Sequence, residues 1–470
     1  MKRRVFLQNL VLATGALFVS SPGVFAHEKA SRQKLKGTVT AKGAKLKDVV
    51  VSDGFSVVTT DRKGRFELPM NPKARFVFLS VPAGYAFPQE NSLARHYLPI
   101  QENANYNFDL TPLNQDDTRH KFIVWADPQV KNANDVKLMM QESVPDVQKL
   151  VQAMGPDTLV HGMSVGDLVW DELALFQDYN KAVAAMGIPF FQALGNHDMD
   201  YRLGGDETSD ATFQKVYGPT YYSFNRGKVH YIVLDDVRYL GTERDYDGHV
   251  SEQQLAWLKQ DLAFVPKDHL VILNLHIPVF LGVKNKKDLL KTLKGYQVHI
   301  MSGHTHYNQN IVQDGVFEHV HGTVCGAWWT GPICTDGTPG GYGVYEVDGN
   351  QLKWHYKSTG LPSSHQVSLH VETLTNQKRL MANVWNYDPA WKVEWFADGV
   401  RQGELKQTTG FDPVTITMFE GPKRPAKRGF AEPAKTDHLF MAHFSPTVKT
   451  VRVVATDRFG TTFENQIEIA

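Results

Sequence analysis

Hydrophobic and polar positions follow different periods in three regions of the chain. Residues 33–112 carry short β-branched runs separated by turn residues such as Asp53-Gly54, a pattern typical of an all-β sandwich. From about residue 118, apolar strand-like runs alternate with stretches of helical spacing at 135–154 and 172–186. This alternation predicts an α/β architecture with a largely parallel sheet.

After residue 360 the pattern is again all-β. Four strand-like segments are separated by turn residues, at 366–371, 391–396, 414–418 and 451–455. A stretch rich in Pro, Lys and Arg at 420–435 predicts an exposed loop among them. We therefore expect three domains: a β-sandwich at 33–112, an α/β domain at 118–358 and a second β-domain at 364–470.

Length and charge bound the function only loosely. The chain has 470 residues, and Lys+Arg and Asp+Glu are both 50. The length fits two or three domains. Because the charges balance, there is no electrostatic reason to expect nucleic acid or an anionic membrane surface as a partner.

The first 26 residues have the features of an export signal. Arg3-Arg4 form a basic start, a mostly apolar stretch follows at 10–19, and a small-residue cleavage pattern ends at Ala26. The paired arginines resemble the twin-arginine signal, which exports folded proteins. We expect a signal peptide at 1–26 and a periplasmic or extracellular protein without a membrane-spanning segment, since the apolar stretch is too short. An uncleaved membrane anchor is the alternative.

Two cysteines, Cys325 and Cys334, stand close together in the sequence. An exported protein permits a disulfide between them, which would close a short loop. The bridge is the favoured interpretation, and two free buried thiols are the alternative.

Polar residues suited to binding metals follow five strand-like runs. In α/β sheets, ligands bind beyond the carboxyl ends of the strands, so these side chains are expected at one edge of one sheet. They are Asp127 after 121–126, Asp167 after 158–165, Asn196 after 189–194, His276 after 271–275, and His304 and His306 after 298–301.

The donor types predict a centre for two divalent ions. Two Asp, one Asn and three His give mixed oxygen and imidazole ligation, which suits Mn, Fe, Zn or Mg. One carboxylate can bridge two ions about 3.5–4 Å apart, as in two-metal hydrolysis. Such a centre lowers the pKa of a bound water and neutralises a phosphoryl group, so these residues indicate phosphoryl chemistry.

The same motifs resemble those of the calcineurin-like metallophosphoesterases, which read D-x-H, G-D, G-N-H-[DE], H and G-H-x-H. In this sequence they stand as Asp127-Pro128-Gln129, Gly166-Asp167, Gly195-Asn196-His197-Asp198, His276 and Gly303-His304-Thr305-His306. The resemblance implies that 118–358 is a catalytic domain built as a two-sheet α/β (α+β) sandwich, flanked by the two all-β domains. The order of the three domains resembles an exported bacterial subgroup.

The resemblance also implies a role for each matching position. Asp127 and His306 would hold the first metal, and Asp167 would bridge to the second. Asn196, His276 and His304 would hold the second metal. His197 would face the substrate, as general acid for the leaving oxygen or as a hydrogen-bond donor to the phosphoryl group.

Two positions depart from the family pattern. Gln129 stands where the first motif usually has His, and its carbonyl oxygen is a weaker, harder ligand than imidazole. It is counted as a candidate ligand, with a mononuclear centre as the alternative. In related protein phosphatases an Asp three residues after the bridging Asp orients the substrate-facing His, but that position is Trp170 here. Asp171 is the candidate for this role, and Asp198 or a helix-capping role for Asp171 are alternatives.

A Gly-rich aromatic loop follows the last ligand motif at 325–342. Because tryptophan stacks on sugars and bases, Trp328 and Trp329 are candidate substrate contacts, with interdomain packing as the alternative. Asp336 and Tyr342 in the same loop are further candidates. His319 and His321 alternate on an expected strand and are interpreted as ordinary sheet residues.

The expected activity is hydrolysis of a phosphate monoester or diester by a metal-bound hydroxide. The substrate would be a phosphorylated small molecule, nucleotide or glycan. A serine/threonine protein phosphatase is one alternative, and the missing Asp at position 170 argues slightly against it. A glycan-binding surface protein with a degenerate catalytic domain is the other.

Overall fold

The computed structural model describes residues 34–422, 424–425 and 431–469. The predicted export signal lies outside the described residues. Within those residues, no helix is long and apolar enough to cross a bilayer.

Two sheets face each other in the central domain, which confirms the predicted two-sheet α/β sandwich. Their parallel strands alternate with helices, and buried apolar side chains of both sheets belong to one continuous core. The seven-stranded sheet has the order Gln351–Ser358, Gly341–Asp348, Arg119–Trp125, Val160–Ser164, Phe190–Phe191, Leu93–Ala94 and Gln89–Glu90. The six-stranded sheet has the order Tyr222–Arg226, Val229–Val233, Leu270–Asn274, Gln297–Ser302, Val316–Val320 and Gln309–Gln313.

The helices of the central domain lie between these strands. A π-helical turn, Met139–Ser143, interrupts the helix expected at 135–154, since Pro145 follows it and has no N–H for the regular ladder. A small hairpin pairs Val237–Tyr239 with Tyr246–Gly248. The α-helices are Ala133–Leu138, Val144–Met154, Phe176–Met186, Ala211–Tyr217, Glu252–Asp261, Val279–Gly282 and Lys286–Leu293, and the 3₁₀ turns are Leu173–Leu175, Asn196–Asp198, Asp206–Thr208 and Leu262–Phe264.

The amino-terminal region is a β-sandwich, as predicted, but it merges with the central domain. Leu93–Ala94 pairs in parallel with Phe190–Phe191 and so extends the seven-stranded sheet. The core of this region is also continuous with the central core. One of its sheets contains Lys34–Ala41, Ala44–Lys45, Arg65–Pro69 and Asn105–Leu110, and the other contains Val50–Ser52, Val57–Thr59, Phe76–Ser80 and Tyr97–Pro99.

The carboxy-terminal domain has two four-stranded sheets around a core of its own. The strand predicted at 414–418 is wrong, because these residues form the helix Pro413–Phe419. Asp412 accepts hydrogen bonds from the backbone N–H of Val414 and Thr415, and Pro413 suits the first helical turn. One sheet contains Val367–Thr373, Lys378–Val384, Lys435–Phe444 and Lys406–Phe411, and the other contains Val400–Glu404, Lys392–Ala397, Thr450–Thr456 and Thr462–Glu468.

Candidate metal centre

The predicted metal-binding residues meet at the carboxyl edge of both central sheets. Asp127, Asp167 and Asn196 follow Arg119–Trp125, Val160–Ser164 and Phe190–Phe191 in the seven-stranded sheet, and His276, His304 and His306 follow Leu270–Asn274 and Gln297–Ser302 in the six-stranded sheet. Within each sheet these strands run parallel, so their ends fall on the same side. The oxygen donors therefore come from one sheet and the imidazoles from the other.

One group of donor atoms surrounds His276. Its Nε2 lies 3.0 Å from Asn196 Oδ1, 3.1 Å from His304 Nδ1 and 3.3 Å from Asp167 Oδ1. His276 Nδ1 donates to the carbonyl oxygen of Val165 over 2.7 Å. That hydrogen bond fixes a proton on Nδ1 and leaves Nε2 as the nitrogen that would bind a metal, as in metal-bound histidines.

A second group consists of Asp127, Asp167 and His306. His306 Nε2 lies 3.5 Å from Asp127 Oδ1. Gln129 also reaches this group, since its Nε2 donates to Asp167 Oδ2 over 2.6 Å. Its Oε1 is buried without a hydrogen-bond partner among the described residues. Asp167 thus belongs to both groups of donors.

The charges of the centre call for a cation. Asp127 and Asp167 are almost completely buried, and buried carboxylates are costly without a positive partner. Burial opposes ionisation of Asp167, but His276 and His197 outweigh it and hold the pKa of this carboxyl below its usual range. Burial likewise opposes the charge on His276, yet Asp167 raises the pKa of His276 to about 10. The donor set therefore fits divalent metal ions.

The backbone is bent into unusual conformations to bring these side chains together. Several donors have positive φ angles, which cost non-glycine residues free energy and concentrate at functional sites. Two glycines permit the close approach of the loops: a Cβ on Gly195 would lie 2.1 Å from Asp167 N, and one on Gly303 would lie 2.4 Å from Asp127 Oδ2. The non-glycine residues with positive φ at the centre are Asp127, Gln129, Asp167, Asp171, His304, His306, Trp328 and Trp329.

His197 lies beside the donors and is oriented by Asp171. Its Nδ1 lies 2.9 Å from Asp171 Oδ1, and the other oxygen of this carboxylate accepts from Arg244. The following 3₁₀ turn, Leu173–Leu175, has no side-chain cap. Of the alternatives left open by the sequence, the structure thus favours the contact of Asp171 with His197.

Asp198 and Asp236 support the loops, and sequence reasoning missed both roles. Asp198 accepts hydrogen bonds from the backbone N–H of Leu168, Val169 and Gly195. Asp236 Oδ1 accepts from the backbone N–H of His276 over 3.0 Å. Asp198 is within the G-N-H-D motif, which was a usable signal, whereas Asp236 belongs to no motif.

Aromatic rings and cations border the centre. The Trp328 ring stacks on His306 with centroids 4.5 Å apart, and Trp170 meets His197 edge-on at 5.5 Å. Lys131 Nζ lies 4.3 Å from the centroid of the Trp170 ring. Trp329 donates from Nε1 to the carbonyl oxygen of Pro128 over 2.8 Å. Lys131 and Arg244 are exposed, and the sequence offered no motif that would identify either.

Two of the candidate substrate residues are not at the centre, which corrects that expectation. Asp336 is fully buried and Tyr342 is too. The Tyr342 hydroxyl donates to Asp146, which also pairs with Lys357. Asp336 is in contact with His438 of the carboxy-terminal domain. Both residues therefore stabilise the fold, and neither can contact a substrate.

The favoured disulfide is also wrong. Cys325 and Cys334 are free, buried thiols, and each Sγ lies 3.6 Å from the hydroxyl oxygen of Thr323. His319 is on the strand Val316–Val320, as interpreted, whereas His321 lies just beyond its end. Both are buried, and His321 Nε2 contacts the Tyr345 hydroxyl over 2.8 Å.

Comparison with known proteins gives matches along most of the chain. The family descriptions are "N terminal of Calcineurin-like phosphoesterase" for 33–113, "Calcineurin-like phosphoesterase" for 120–308 and "C terminal of Calcineurin-like phosphoesterase" for 318–463. A curated relative from Rhodococcus erythropolis, a "Probable cyclic nucleotide phosphodiesterase", is 28% identical over 151 residues, which are 28% of this chain and 45% of the relative. The chain thus matches less than half the length of that relative.

Solved structures of phosphatases also show similarity. A dimetal phosphatase from Danio rerio has 15% identity and a TM-score of 0.38, covering 51% of this chain and 97% of the other. A purple acid phosphatase from yellow lupin has 13% identity and a TM-score of 0.39, covering 68% of each chain. The three family matches follow one another from residue 33 to residue 463, and the chain belongs to the calcineurin-like phosphoesterases.

Proposed function

We propose that the protein hydrolyses phosphate esters at a centre that holds two divalent ions. The observation that carries the proposal is that two groups of donors, all buried except the partly exposed His304, share the Asp167 carboxylate. Ions bound there would neutralise a phosphoryl group and lower the pKa of water. A glycan-binding protein with a degenerate centre would have no need for donors that converge in this way.

The donor atoms suggest a division between the two ions. Asn196, His276 and His304 would hold one, Asp127 and His306 the other, and Asp167 both. We further propose Gln129 Oε1 as a ligand of the second of these ions. A 180° rotation of the Gln129 amide would exchange Nε2 and Oε1 and place the oxygen beside the Asp167 carboxylate. These two oxygens would repel each other in the absence of a cation. A bound ion would therefore favour the rotated amide and gain Oε1 as a ligand.

His197 is proposed to supply a proton to the leaving oxygen. Its Nδ1 hydrogen bond to Asp171 directs Nε2 away from that carboxylate, and the ring is partly exposed. Asp171 would stabilise the charged imidazole before the transfer. Lys131 and Arg244 add positive charge on the approach to the centre, which favours anionic substrates.

The surroundings favour a small phosphate ester with a flat ring. Trp328 and Trp170 are partly exposed and lie next to His306 and His197, where they could stack on a base or sugar. The name of the Rhodococcus relative, a probable cyclic nucleotide phosphodiesterase, supports nucleotides as candidate substrates. We propose a nucleotide-like ester as substrate.

We also propose that the protein is exported by the twin-arginine route, because of the features of residues 1–26. Replacing Arg3→Lys together with Arg4→Lys should leave the protein in the cytoplasm. Fractionation of cells that make either form tests this, and export that is unaffected by the double change would contradict the proposed route.

Hydrolysis by the mature chain, 27–470, tests the proposed activity. The panel should contain mononitrophenyl and bis-nitrophenyl phosphate, cyclic nucleotides and a phosphoserine peptide, each with Mn, Mg, Fe, Zn or chelator. We expect activity that chelator removes and one metal restores, with Asp167→Asn as the inactive control. Preference for the phosphopeptide would support a protein phosphatase instead. Folded, metal-loaded protein that cleaves none of the esters would contradict the proposal.

A further inference from the structure

One loop covers the His306 side of the metal centre. We call residues 323–340 the Trp328 loop. Its Trp328 ring stacks on His306, with 24° between the two planes. Thr335 is fixed to the same ligand, since its N–H and its hydroxyl both donate to the carbonyl oxygen of His306, over 3.3 and 3.0 Å. The position of His306 therefore depends on this loop.

The carboxy-terminal domain packs against the other side of the loop. Ala327 is buried in a small apolar cluster with Phe419 and Ala431, and Trp328 and Met418 pack against this cluster. The contact is tight, because a Cβ on Gly331 would lie 2.8 Å from the Met418 sulfur. Ala434 also donates from its backbone N–H to the carbonyl oxygen of Thr335 over 2.8 Å.

A buried polar cluster fixes the loop to the same domain. Asp336 Oδ2 lies 3.0 Å from His438 Nε2 and accepts from the backbone N–H of Asn308 over 2.8 Å. His438 Nδ1 lies 2.6 Å from Asn383 Oδ1. Asn383 Nδ2 donates to the carbonyl oxygen of Asp336 and to Asp412 Oδ2, each over 2.9 Å.

The members of this cluster come from two domains. The Asp336 carboxylate is fully buried among them. Asn383 is on the strand Lys378–Val384 and His438 is on Lys435–Phe444. Asp336, Asn383 and His438 are each exposed by 2% or less. Buried polar groups that are all paired fix one arrangement of the chain, because any shift leaves a costly unpaired group.

We propose that the carboxy-terminal domain is part of the machinery that positions the metal centre. His438 and Asn383 are positioning residues: through Asp336 they hold the Trp328 loop, and through Thr335 and Trp328 the loop holds His306. The inference rests on the proposed function in one respect, since it takes His306 as a metal ligand. It assigns this domain a role in completing the site rather than in binding a separate glycan.

The test uses the full mature chain with His438→Ala, and its main readout is the affinity for Mn²⁺ measured by calorimetry. Loss of groups that orient ligands typically weakens metal binding about 10–100-fold, and that is the expected effect. Chymotrypsin gives a second readout, because a released loop exposes the peptide bonds after Trp328 and Trp329. Neither measurement requires turnover, so both stand even if no tested ester is cleaved.

Two further variants separate positioning from general damage. His438→Gln keeps an N–H that can reach Asp336, and it should restore metal affinity and protease resistance. Arg458→Lys is the matched control at the same domain interface. Arg458 pairs with Asp388 and lies 4.3 Å from the Phe317 ring of the central domain, and neither of these partners belongs to the Trp328 loop. This control should bind Mn²⁺ as the unmodified protein does.

If His438→Ala does not fold, Thr335→Val provides the decision. This nearly isosteric change removes only the hydroxyl that donates to His306, and a several-fold weaker Mn²⁺ affinity is expected. Metal affinity and loop cleavage equal to those of the Arg458→Lys control, in whichever of the two variants folds, would overturn the proposal. For an active ester, a fall in kcat without a matching change in KM would support it.

Discussion

The Asp171 carboxylate joins His197 and Arg244, with its Oδ1 2.9 Å from the His197 Nδ1 and its other oxygen accepting from Arg244. A single residue thus orients the proposed proton donor and a cation at the entrance of the site. The sequence suggested that a missing Asp at Trp170 weakened the case for a protein phosphatase. Since Asp171 makes the contact from the next position, that argument no longer applies.

The proton-donor role predicts a dependence on the leaving group. His197→Ala should lower kcat about 10²–10⁴-fold for an ester with an alkoxide leaving group. It should have little effect on a nitrophenyl ester, whose leaving group needs no proton. Asp171→Asn should show the same pattern with a smaller effect, lowering kcat for the alkoxide ester and leaving kcat for the nitrophenyl ester almost unchanged. Steady-state kinetics on the two esters measures this, and equal losses on both would contradict general acid catalysis.

Asp167 is predicted to be indispensable because it belongs to both donor groups. Asp167→Asn should reduce bound metal, counted by elemental analysis, and lower kcat at least 10³-fold, about 4 kcal/mol of transition-state stabilisation. Circular dichroism should remain that of the unmodified protein. Asn196→Ala is the comparison, since it removes a donor from one group only and should leave more metal bound. A fully active Asp167→Asn protein would refute the shared role.

The residue at position 129 is predicted to influence whether the centre prefers zinc or Mn²⁺. Imidazole is a softer and stronger ligand than an amide oxygen, so Gln129→His should tighten zinc binding relative to Mn²⁺. Gln129→Ala should weaken the binding of one ion and leave that of the other nearly unchanged. Competition titrations with the two metals measure both effects. If the alanine variant binds both ions normally, Gln129 is not a ligand.

Glu318 predicts a loss of stability as pH rises. Burial raises the pKa of Glu318 to about 7, although the backbone N–H groups of Phe280 and Val279 and the Ser302 hydroxyl oppose the shift. An unfolded Glu titrates near 4.3. Between these two pH values the native state binds more protons than the unfolded state, so the free energy of unfolding falls as pH rises. The stability that depends on protonated Glu318 is fully present below about pH 4 and is lost by about pH 7.

Urea unfolding at pH 5 and pH 8 tests the Glu318 prediction. Relative to Glu318→Gln, the unmodified protein should lose at most roughly 3 kcal/mol between the two values. Glu346→Gln is the control, because Glu346 is a half-exposed partner of Lys121. The difference between unmodified protein and Glu318→Gln should not depend on pH if the Glu318 carboxyl keeps its ordinary pKa.

The thermal stability of the protein is predicted to be the same with and without a reducing agent. Because Cys325 and Cys334 are free and buried, a thiol reagent should find two thiols after denaturation without reductant, and almost none before it. Dithiothreitol should not shift the Tm. A single-residue control, Cys334→Ser, should titrate with one thiol. Absence of titratable thiols in the denatured protein would indicate that the bridge forms after all.

Much of the centre could be predicted because it depends on strand ends. Residues after parallel strands must meet at one edge, so Asp127, Asp167 and His276 could be placed together from the sequence alone. Lys131 and Arg244 could not, because their positions depend on how loops fold back over the edge. Nothing in the spacing of an isolated Lys or Arg marks such a loop.

Local propensity also failed where capping or long-range pairing decided the structure. The β-branched run at 414–418 suggested a strand, yet Asp412 and Pro413 begin a helix there. Leu93–Ala94 is only two residues long, and its membership of the central sheet comes from pairing with Phe190–Phe191, almost a hundred positions away. Such contacts leave no trace in a local pattern.

The oxygen donors come from one sheet and the imidazoles from the other, so an ion bound as proposed would be a non-covalent cross-link between the two sheets. Rupture of the contact between the sheets would require release of the ions, so metal loading should protect the whole central sandwich and not only its loops. At a hundredfold excess over Kd, one ion would add about 2.7 kcal/mol to the free energy of unfolding. The ions proposed to take part in hydrolysis would then also stabilise the contact between the two sheets, and a chelator would weaken that contact.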